Sequence, residues 1–523
     1  MRLFRIRPSE YKSSPYEITR NLIRSRERQR QRVKRLRRRV DVLETENRRL
    51  CRWLKQTEEQ LLLTRRLQET EGAASDRHGS PVSNPLLSEM PIAGHCFAAT
   101  MIALCINLAK RIGFRSAQRA LQIVVDSLKL DVEIPSHDAI RNWTCRLGVG
   151  ELEDTFHIDQ DVVWMADHSS QIGSEKVLLI VGIAVEDLPE RGQTLSLEDV
   201  KVLAIVPGER WKKEDVGREY QKLADQIGAP RYLLCDGATE LREPAEVLEK
   251  DGRKTIVLGD LKHHAANILE KQIGRSERFK AFISQVGLTR NRVQQTELSH
   301  FAPPPLKQKS RFMNLAPLLR WASMVNHHLS DAHSEARVGI TADRMNEKLG
   351  WLREYREDLA CWAACQKAID AALSFINHEG LSTGTGDRLR TQLEEAMSDL
   401  PTSHETTDRV AALLVEFVER SERQLEDGER AWLSTEILES LFGRFKQLEG
   451  QHSKGGFTSL LAALPSLCCT VDAARVRRRL LHVSTTKLKQ WIKETIGSTL
   501  TTRRAAAYHE YAIATNGQFS KPN

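Results

Sequence analysis

Apolar and polar residues follow three patterns along the chain, and each pattern predicts a different structure. Between residues 33 and 61, apolar residues recur at alternating spacings of three and four, which is typical of a coiled coil. From 162 to 259, short runs rich in Val, Ile and Leu are separated by amphipathic stretches, which predicts strands mixed with helices. From 276 to 430 a helical period prevails. The chain should therefore combine a coiled coil, an α/β core and a helical insertion.

The predicted coiled coil has one polar residue among its core positions. Its seam consists of Val33, Leu36, Val40, Leu43, Asn47, Leu50, Leu54, Thr57 and Leu61. A lone Asn in the first core column favours a parallel, two-stranded register. The seam therefore predicts a homodimer or a higher oligomer.

A strongly basic segment precedes and overlaps the start of this seam. Residues 20–39, "RNLIRSRERQRQRVKRLRRR", carry eleven Lys and Arg against one Glu and lack Pro and Gly. A basic helix followed by a zipper resembles the bZIP proteins, although the base-reading residues of that family are missing. We expect contacts to DNA phosphates from Arg24, Arg28, Arg32 and Arg35. The alternative is a charged coiled coil that serves assembly alone.

Two further segments lie between the zipper and the α/β core. Residues 71–90 are rich in Gly, Ser, Pro and charge, which is typical of a linker. Residues 91–150 are helical by pattern, and Ser136 is placed to cap a helix that begins near His137. Helix, short turn and capped helix form a helix-turn-helix pattern, so this segment is a second candidate for DNA binding.

Composition narrows the class of protein. The chain has 523 residues, a net charge of +8 and nine scattered cysteines without paired C-x-x-C units, so a disulfide framework or zinc ribbon is not expected. No apolar run approaches the roughly 18 to 20 residues needed to span a bilayer. We expect a soluble protein without a membrane partner, cytoplasmic and associated with the nucleoid DNA of a prokaryote.

Two predicted strands end on a carboxylate. The run "VVWMADHSS" ends at Asp167, and "YLLCDGATE" places Asp236 directly after its apolar residues. A carboxylate at the end of a buried strand is costly unless a charged partner compensates it. Three strands with short connections, followed by two more strands with helical connections, predict a mixed sheet with helices on its faces. Both carboxylates would then lie at one edge of that sheet.

This order of strands and carboxylates resembles the DDE transposases, whose catalytic domain is ribonuclease H-like. The resemblance implies a third carboxylate on a later helix, and "ERAWLSTEILESLFGRFKQ" offers Glu436 and Glu439. The spacing Trp432-x2-Thr435-x3-Glu439-x6-Lys446 matches the family pattern Y-x2-R-x3-E-x6-K, which favours Glu439. Trp432 and Thr435 replace the family's Tyr and Arg, so the roles of these two positions stay open.

The resemblance also implies a chemistry. Asp167, Asp236 and Glu439 would together bind Mg2+ or Mn2+, as two ions, because hard oxygen ligands prefer these metals. The reaction would be cleavage of double-stranded DNA at transposon terminal repeats, followed by transfer of the freed 3′ end to target DNA. Lys446 and Arg444 are candidate phosphate contacts, with a solvated helix face as the alternative for Arg444. Two further residues are candidates for a supporting role, His263 and Trp432.

The predicted organisation has seven segments: a basic region and coiled coil at 1–70, a linker at 71–90, a helical DNA-binding domain at 91–150, the first part of a ribonuclease H-like core at 155–275, an all-α insertion at 276–430, a catalytic core helix at 431–450 and a basic helical C-terminal region at 451–523. Two other functions remain open on the sequence alone. One is a domesticated, catalytically inactive DNA-binding regulator, and the other is a ribonuclease H-like nuclease without strand transfer.

Overall fold

The structure is a computed structural model, and it describes residues 90–168, 176–208, 210–305, 312, 315–330, 341–398, 405–450, 459–497 and 506–511. These residues belong to the compact unit Pro85–Asn523. The predicted coiled coil and linker fall outside the described residues, together with the basic residues Arg24, Arg28, Arg32 and Arg35. Dimerisation and DNA contact through this segment therefore stay predictions.

A five-stranded mixed sheet lies at the centre of the described α/β core, in the spatial order β3-β2-β1-β4-β7. Strand β1 pairs antiparallel with β2, and β2 pairs antiparallel with β3. On its other side β1 runs parallel to β4, which runs parallel to β7. The strands are β1 Val162–His168, β2 Lys176–Ala184, β3 Lys201–Gly208, β4 Tyr232–Cys235, β5 Glu249–Lys250, β6 Arg253–Lys254 and β7 Ile256–Gly259. The predicted mixed sheet is thus present.

Helices precede the sheet, cover it and follow it. They are α1 Ala99–Ile112, α2 Phe114–Leu128, α3 His137–Leu152, α4 Lys213–Ile227, α5 Thr239–Arg242, α6 Leu261–Leu269, α7 Glu277–Val293, α8 Ala316–Ser330, α9 Ala342–Leu349, α10 Arg356–Glu379, α11 Thr385–Ser398, α12 Glu405–Glu422, α13 Glu436–Gly450, α14 Ala473–His482 and α15 Thr485–Thr495. The described part of the chain is therefore mixed α/β, with a helical region inserted between β7 and α13.

The two faces of the sheet pack into separate apolar cores. Trp164 and Leu233 belong to the core that is completed by α4. Their neighbours Val163 and Leu234 point to the opposite face and join a larger core with residues of α3, α6 and α13. Because side chains alternate along a strand, this division fixes which face each strand residue occupies.

The two later strands were each expected to follow a helical connection, and for the second connection, "EPAEVLEKDG", this prediction is wrong. The structure has the small antiparallel hairpin β5–β6 instead, with Glu249 opposite Lys254. Its turn places Asp251 at φ 53° and Gly252 at φ 77°, both in the left-handed region. An Asp-Gly pair suits a tight hairpin turn better than a helix, and this local preference outweighs the helical period of the preceding residues.

Helices make up most of the described part of the region between β7 and α13, which also has an isolated bridge between Leu381 and Ala431 and an aromatic centre. Trp362 on α10 packs against Phe279 and Phe282 on α7, with ring centroids 5.0 Å apart in both pairs. The segment Ala342–Glu379 is long and apolar enough to cross a membrane by length and composition alone, although no such segment was expected from the sequence. Its apolar residues, Trp362 among them, belong to the core, so core packing accounts for its composition.

The helix-turn-helix pattern at 91–150 is present, but its second helix is largely covered. Ser136 caps α3 by accepting a hydrogen bond from the Ala139 amide, as the sequence predicts. From Trp143 to Gly150 every residue of α3 is buried. A Cβ added at Gly148 would lie 2.0 Å from the Ala462 carbonyl oxygen, so the chain at Ser459–Cys468 packs directly on this helix. A recognition helix needs an open face for a DNA groove, and this half of α3 has none.

The C-terminal region, predicted as basic and helical, also contains a buried apolar segment. Residues 451–458 lie outside the described residues, but Ser459–Cys468 forms a buried helical segment against α3. The basic helices α14 and α15 follow as expected. The apolar sequence "SLLAALPSLC" explains this burial.

Candidate active site

Asp167 and Asp236 lie side by side at the same edge of the sheet. In the parallel pair β1–β4, Met165 is opposite Leu234, so two further residues along each strand bring Asp167 next to Asp236. Neighbouring strands are separated by about 4.8 Å. Asp167 shares its face with Met165, and Asp236 shares its face with Leu234, which places both carboxylates on the face toward α6 and α13. The predicted pairing of these two strand ends is present.

The backbone after Asp236 turns away from the sheet and leaves its carboxylate at the edge. Gly237 has φ 88°, a conformation that favours glycine. Asp236 Oδ1 accepts a hydrogen bond from the Ala238 amide at 2.8 Å, which closes a local turn. The residue order Asp-Gly-Ala therefore orients the Asp236 side chain at the end of β4.

The carboxylate of Asp167 is in an unfavourable environment for its charge. Burial, followed by the negative charge of Asp236, raises the pKa of Asp167 to about 7. Glu439 adds to this effect, whereas a hydrogen bond from the His168 amide and the nearby His263 oppose it. A buried carboxylate beside like charges is stabilised by a cation. Asp167 is therefore suited to bind a cation.

Glu439 reaches this site from the first turn of α13, but its carboxylate is paired with a lysine. Lys262, in the first turn of α6, lies 2.8 Å from Glu439 Oε2 and 3.3 Å from Glu436 Oε1. Glu436 also accepts a hydrogen bond from Asn377 Nδ2 at 2.9 Å. Only Glu439, of these two glutamates, is among the main charges that raise the pKa of Asp167. This electrostatic influence favours Glu439 over Glu436 as the third carboxylate.

Asp260 joins the two helices that carry these residues. It is 2% exposed, and its Oδ2 accepts hydrogen bonds from the amide and the hydroxyl of Thr435 at 2.6 and 2.7 Å. Its Oδ1 accepts bonds from the amide and the ring Nδ1 of His263 at 2.7 and 3.0 Å. One buried carboxylate thus fixes the start of α13 against the start of α6. Thr435, which departs from the family pattern, has a structural partner here.

His263 lies close enough to the carboxylates to respond to their charge. Burial alone lowers its pKa, but the hydrogen bond to Asp260 and the charges of Asp260, Asp236 and Asp167 raise it above the ordinary value. A supporting role for His263 next to the aspartates is therefore consistent with its position, and that role stays a prediction.

The donor atoms at this site suit a hard divalent cation. Asp167, Asp236 and Glu439 offer carboxylate oxygens, the ligand type that Mg2+ and Mn2+ prefer. Within the described ranges, however, no three side chains of His, Cys, Asp or Glu are grouped closely enough to hold a metal ion as they stand. The ammonium group of Lys262 compensates the Glu439 carboxylate in this arrangement. The aspartate pair is assembled, and the third ligand is nearby but engaged elsewhere.

The remaining predicted site residues have different environments. Lys446 and Arg444 are both exposed on α13. Arg444 influences the pKa of the half-buried Lys110 on α1, and that of Cys468, which places it toward that side of the helix. Trp432, predicted as a supporting residue, is 3% exposed and packs against Gly380. Its environment is that of a core residue.

Lys262 lies outside the E-x6-K motif, but its position in the sequence indicates an acidic partner. Lys262 stands in the first turn of α6, next to the N-cap Asp260. A cation there is unfavourable with respect to the helix dipole, whose positive end lies at the N-terminus. A lysine at such a position, directly after a strand that ends at the carboxylate edge, indicates an acidic partner.

Comparisons with known proteins identify no family for this chain. No protein-family model matches it. The vacuolar protein sorting-associated protein 54 of Homo sapiens and that of Rattus norvegicus are each 40% identical to it over 62 residues, which is 11% of this chain and 6% of those proteins. Among solved structures, a chain of the Drosophila P element transposase strand transfer complex is similar with a TM-score of 0.35 and 13% identity, covering 75% of this chain and 94% of that one. Similarity at these levels assigns neither a family nor an activity.

The elevated pKa of Asp167 predicts a pH dependence of stability. In the metal-free protein the pKa of this carboxyl is about 7, whereas in the unfolded chain the group ionises near its ordinary pKa of 3.8. Asp167 therefore lowers the free energy of unfolding more and more as the pH rises from about 4 to 7. Above about pH 7 its effect is constant. We expect Asp167→Asn to gain stability over wild type by up to about 1.4 kcal/mol per pH unit between about pH 4 and 7.

Chemical denaturation in EDTA across this pH range measures the difference directly. Subtracting the two proteins cancels the titration of groups that Asp167 does not influence. Because Asp167 raises the pKa of His263, the same pair of proteins is also compared in a His263→Gln background. A difference that does not change with pH would contradict the environment described for Asp167.

Proposed function

We propose that this chain is a DDE transposase, which binds transposon ends and catalyses metal-dependent cleavage and strand transfer of DNA. One observation carries the proposal. Asp167 and Asp236 end adjacent parallel strands of a mixed sheet in the order β3-β2-β1-β4-β7 and point to the same face, toward the helix that carries Glu439. Two carboxylates held together against their repulsion are a costly arrangement that metal binding would make favourable.

Each residue of the site has a distinct part in this proposal. Asp167 and Asp236 would hold two Mg2+ or Mn2+ ions, and Glu439 would complete the ligand set once it leaves Lys262. Ions bound there supply an activated water and stabilise the leaving 3′ oxygen. His263 would keep the aspartate edge electropositive, and Lys262, once released, would carry its charge toward the DNA backbone.

The proposed partners are double-stranded DNA, as transposon terminal repeats and target, and a second copy of this chain. The DNA would be held in part by Lys446, an exposed cation of α13. The ion pair of Lys262 with Glu439 favours one other function, a catalytically inactive DNA-binding regulator in which the lysine replaces the metal permanently.

An assay for cleavage and joining separates these functions. The full chain is incubated with duplexes that carry the inverted repeats flanking its reading frame, in the presence of Mg2+, Mn2+ or EDTA. A transposase yields free 3′ ends and joined products only with a divalent ion, and a nuclease yields cleavage alone. Binding without cleavage under every metal condition would establish the regulator and reject the proposal.

Lys446 should contact a DNA phosphate near the cleaved bond. It lies seven residues after Glu439, so both side chains project from the same face of α13. We expect Lys446→Ala to reduce end binding and to make its log–log salt dependence shallower by about one unit. Arg444→Ala is the matched control, since Arg444 is also exposed but faces α1. Equal salt slopes for wild type and Lys446→Ala, measured by fluorescence anisotropy, would remove this residue from the DNA path.

A further inference from the structure

Three arginines from separate segments converge next to the C-terminus of α10. Arg191, in the connection between β2 and β3, and Arg388, on α11, each lie 3.9 Å from the same oxygen, Oε2 of Glu379. Arg430, shortly before α13, donates a hydrogen bond to the backbone oxygen of Glu379 at 3.4 Å. We call Arg191, Arg388 and Arg430 the arginine cluster.

Glu379 is the only acidic side chain among the contacts described for the arginine cluster. Arg191 and Arg388 share its carboxylate at a long 3.9 Å, and Arg430 reaches only its backbone oxygen. The neighbouring Asp387 does not contribute, because it pairs with Arg390 at 2.9 Å. A second anion in contact with the cluster would offset the repulsion between its guanidinium groups.

The hydrogen bonds of the cluster hold two partly exposed guanidinium groups together. Arg191 and Arg388 both donate to the Ser382 hydroxyl, at 3.0 and 3.2 Å, so the two guanidinium groups are held beside each other. The Nε atoms of Arg388 and Arg430 are buried, but the side chains of Arg191 and Arg388 are 52% and 36% exposed. Two neighbouring guanidinium groups that a ligand can reach suit a phosphate, which accepts several hydrogen bonds from arginine.

The cluster is close to the candidate active site. Asn377, two residues before Glu379, donates to Glu436 on α13, one turn before Glu439. The Gly192 amide donates to the His378 carbonyl at 2.8 Å, which ties the segment carrying Arg191 to the same end of α10. These contacts place the end of α10, which carries Glu379, beside the start of α13.

We propose that the arginine cluster binds a backbone phosphate of the DNA strand held at the carboxylate site, a few nucleotides from the cleaved bond. The inference rests on the proposed function for the identity of the ligand. It adds a second anchor point, contributed jointly by the β2–β3 connection and the helical insertion. The insertion would then fix the direction in which the strand leaves the site.

The test is DNA binding by the full chain in EDTA, measured by fluorescence anisotropy over a series of salt concentrations. The double variant Arg191→Gln/Arg388→Gln removes two charges and keeps amide donors near Ser382. We expect its log–log salt slope to be shallower by about one unit, which corresponds to one lost phosphate contact. In wild type, ethylation of one phosphate a few nucleotides from the cleaved bond should impair binding, and in the variant it should not.

Arg390→Gln is the matched control. Arg390 lies on the same helix, is 50% exposed like Arg191 at 52%, and pairs with Asp387 and Glu419 outside the cluster. Its salt slope should equal that of wild type. If the double variant fails to fold by circular dichroism, Arg430→Gln provides the same comparison, because its guanidinium contacts only the backbone of Glu379 among the hydrogen bonds described for it.

The outcomes separate this inference from the proposed function. An unchanged slope in a folded cluster variant overturns the inference, whether or not the protein cleaves DNA. A shallower slope in a protein that cleaves no DNA supports the phosphate contact and rejects the transposase activity. If inorganic phosphate raises the Tm of wild type but not of the variant, and the DNA slope is unchanged, the cluster takes free phosphate and the DNA assignment is overturned.

Discussion

Replacing either Asp167 or Asp236 with Asn is expected to lower the rate of metal-dependent DNA cleavage by at least about 10³-fold, or ~4 kcal/mol of transition-state stabilisation. The two side chains end adjacent strands and face the same way, so each would bind the same pair of ions. Asparagine keeps the shape of the side chain and removes its charge, and a neutral amide is a poor substitute for a carboxylate that must neutralise a divalent cation.

The controls for this experiment measure folding and DNA binding without metal. Binding to the same duplex in EDTA should be unchanged or tighter in both variants, because each removes a negative charge near the phosphate backbone. The Tm of the metal-free Asp167→Asn protein should not fall, since the charge it removes is one that burial disfavours. Wild-type cleavage rates in either variant would remove the aspartate pair from the chemistry.

The sheet could be predicted from the sequence because its strands carry local signals. The apolar runs at β1 and β2 are β-branched and short, and the lengths of the connections decide between antiparallel and parallel neighbours. The order of the strands then placed Asp167 and Asp236 at one edge of the sheet, whereas their common face follows from the register of β1 and β4 in the structure. The hairpin β5–β6 was not predicted, because the residues before its turn follow a helical pattern. Only the pair Asp251-Gly252 signals the turn itself.

The charged contacts around the site could not be predicted in the same way. Lys262 and Glu439 are separated by 177 residues, and no local pattern states which cation faces which carboxylate. The arginine cluster joins the β2–β3 connection, α11 and the segment before α13, so it exists only once the helical insertion has folded back on the core. Contacts of this kind follow from the tertiary fold.

At two positions the spacing of the motif matches the family, but the side chains have other roles. Trp432 and Thr435 occupy the places of the family's Tyr and Arg, yet one is a core residue and the other binds the buried Asp260. Both stabilise the start of α13, where Glu439 must be held. The spacing predicted the helix, and it did not predict the contacts of these two side chains.

Glu439→Gln is expected to lower cleavage by about 10² to 10³-fold, whereas Glu436→Gln should change it by less than about tenfold. Glu439 is among the charges that raise the pKa of Asp167, so it is electrostatically close to the aspartate pair. Glu436 is bound instead by Asn377 and by Lys262. The weak binding of Mn2+ by Glu439→Gln, measured by calorimetry, should parallel its loss of cleavage.

The two glutamates are closely matched controls for each other. Each loses one ion pair with Lys262 on substitution, and their side chains are 41% and 42% exposed. Half-exposed pairs of this kind contribute at most about 1 kcal/mol to stability, so both variants should unfold at nearly the same denaturant concentration. A difference in cleavage between them therefore cannot come from the lost lysine contact and must reflect the position of the carboxylate. If Glu436→Gln is the more damaging substitution, Glu436 is the third ligand and α13 presents its first residue, rather than its fourth, to the metal.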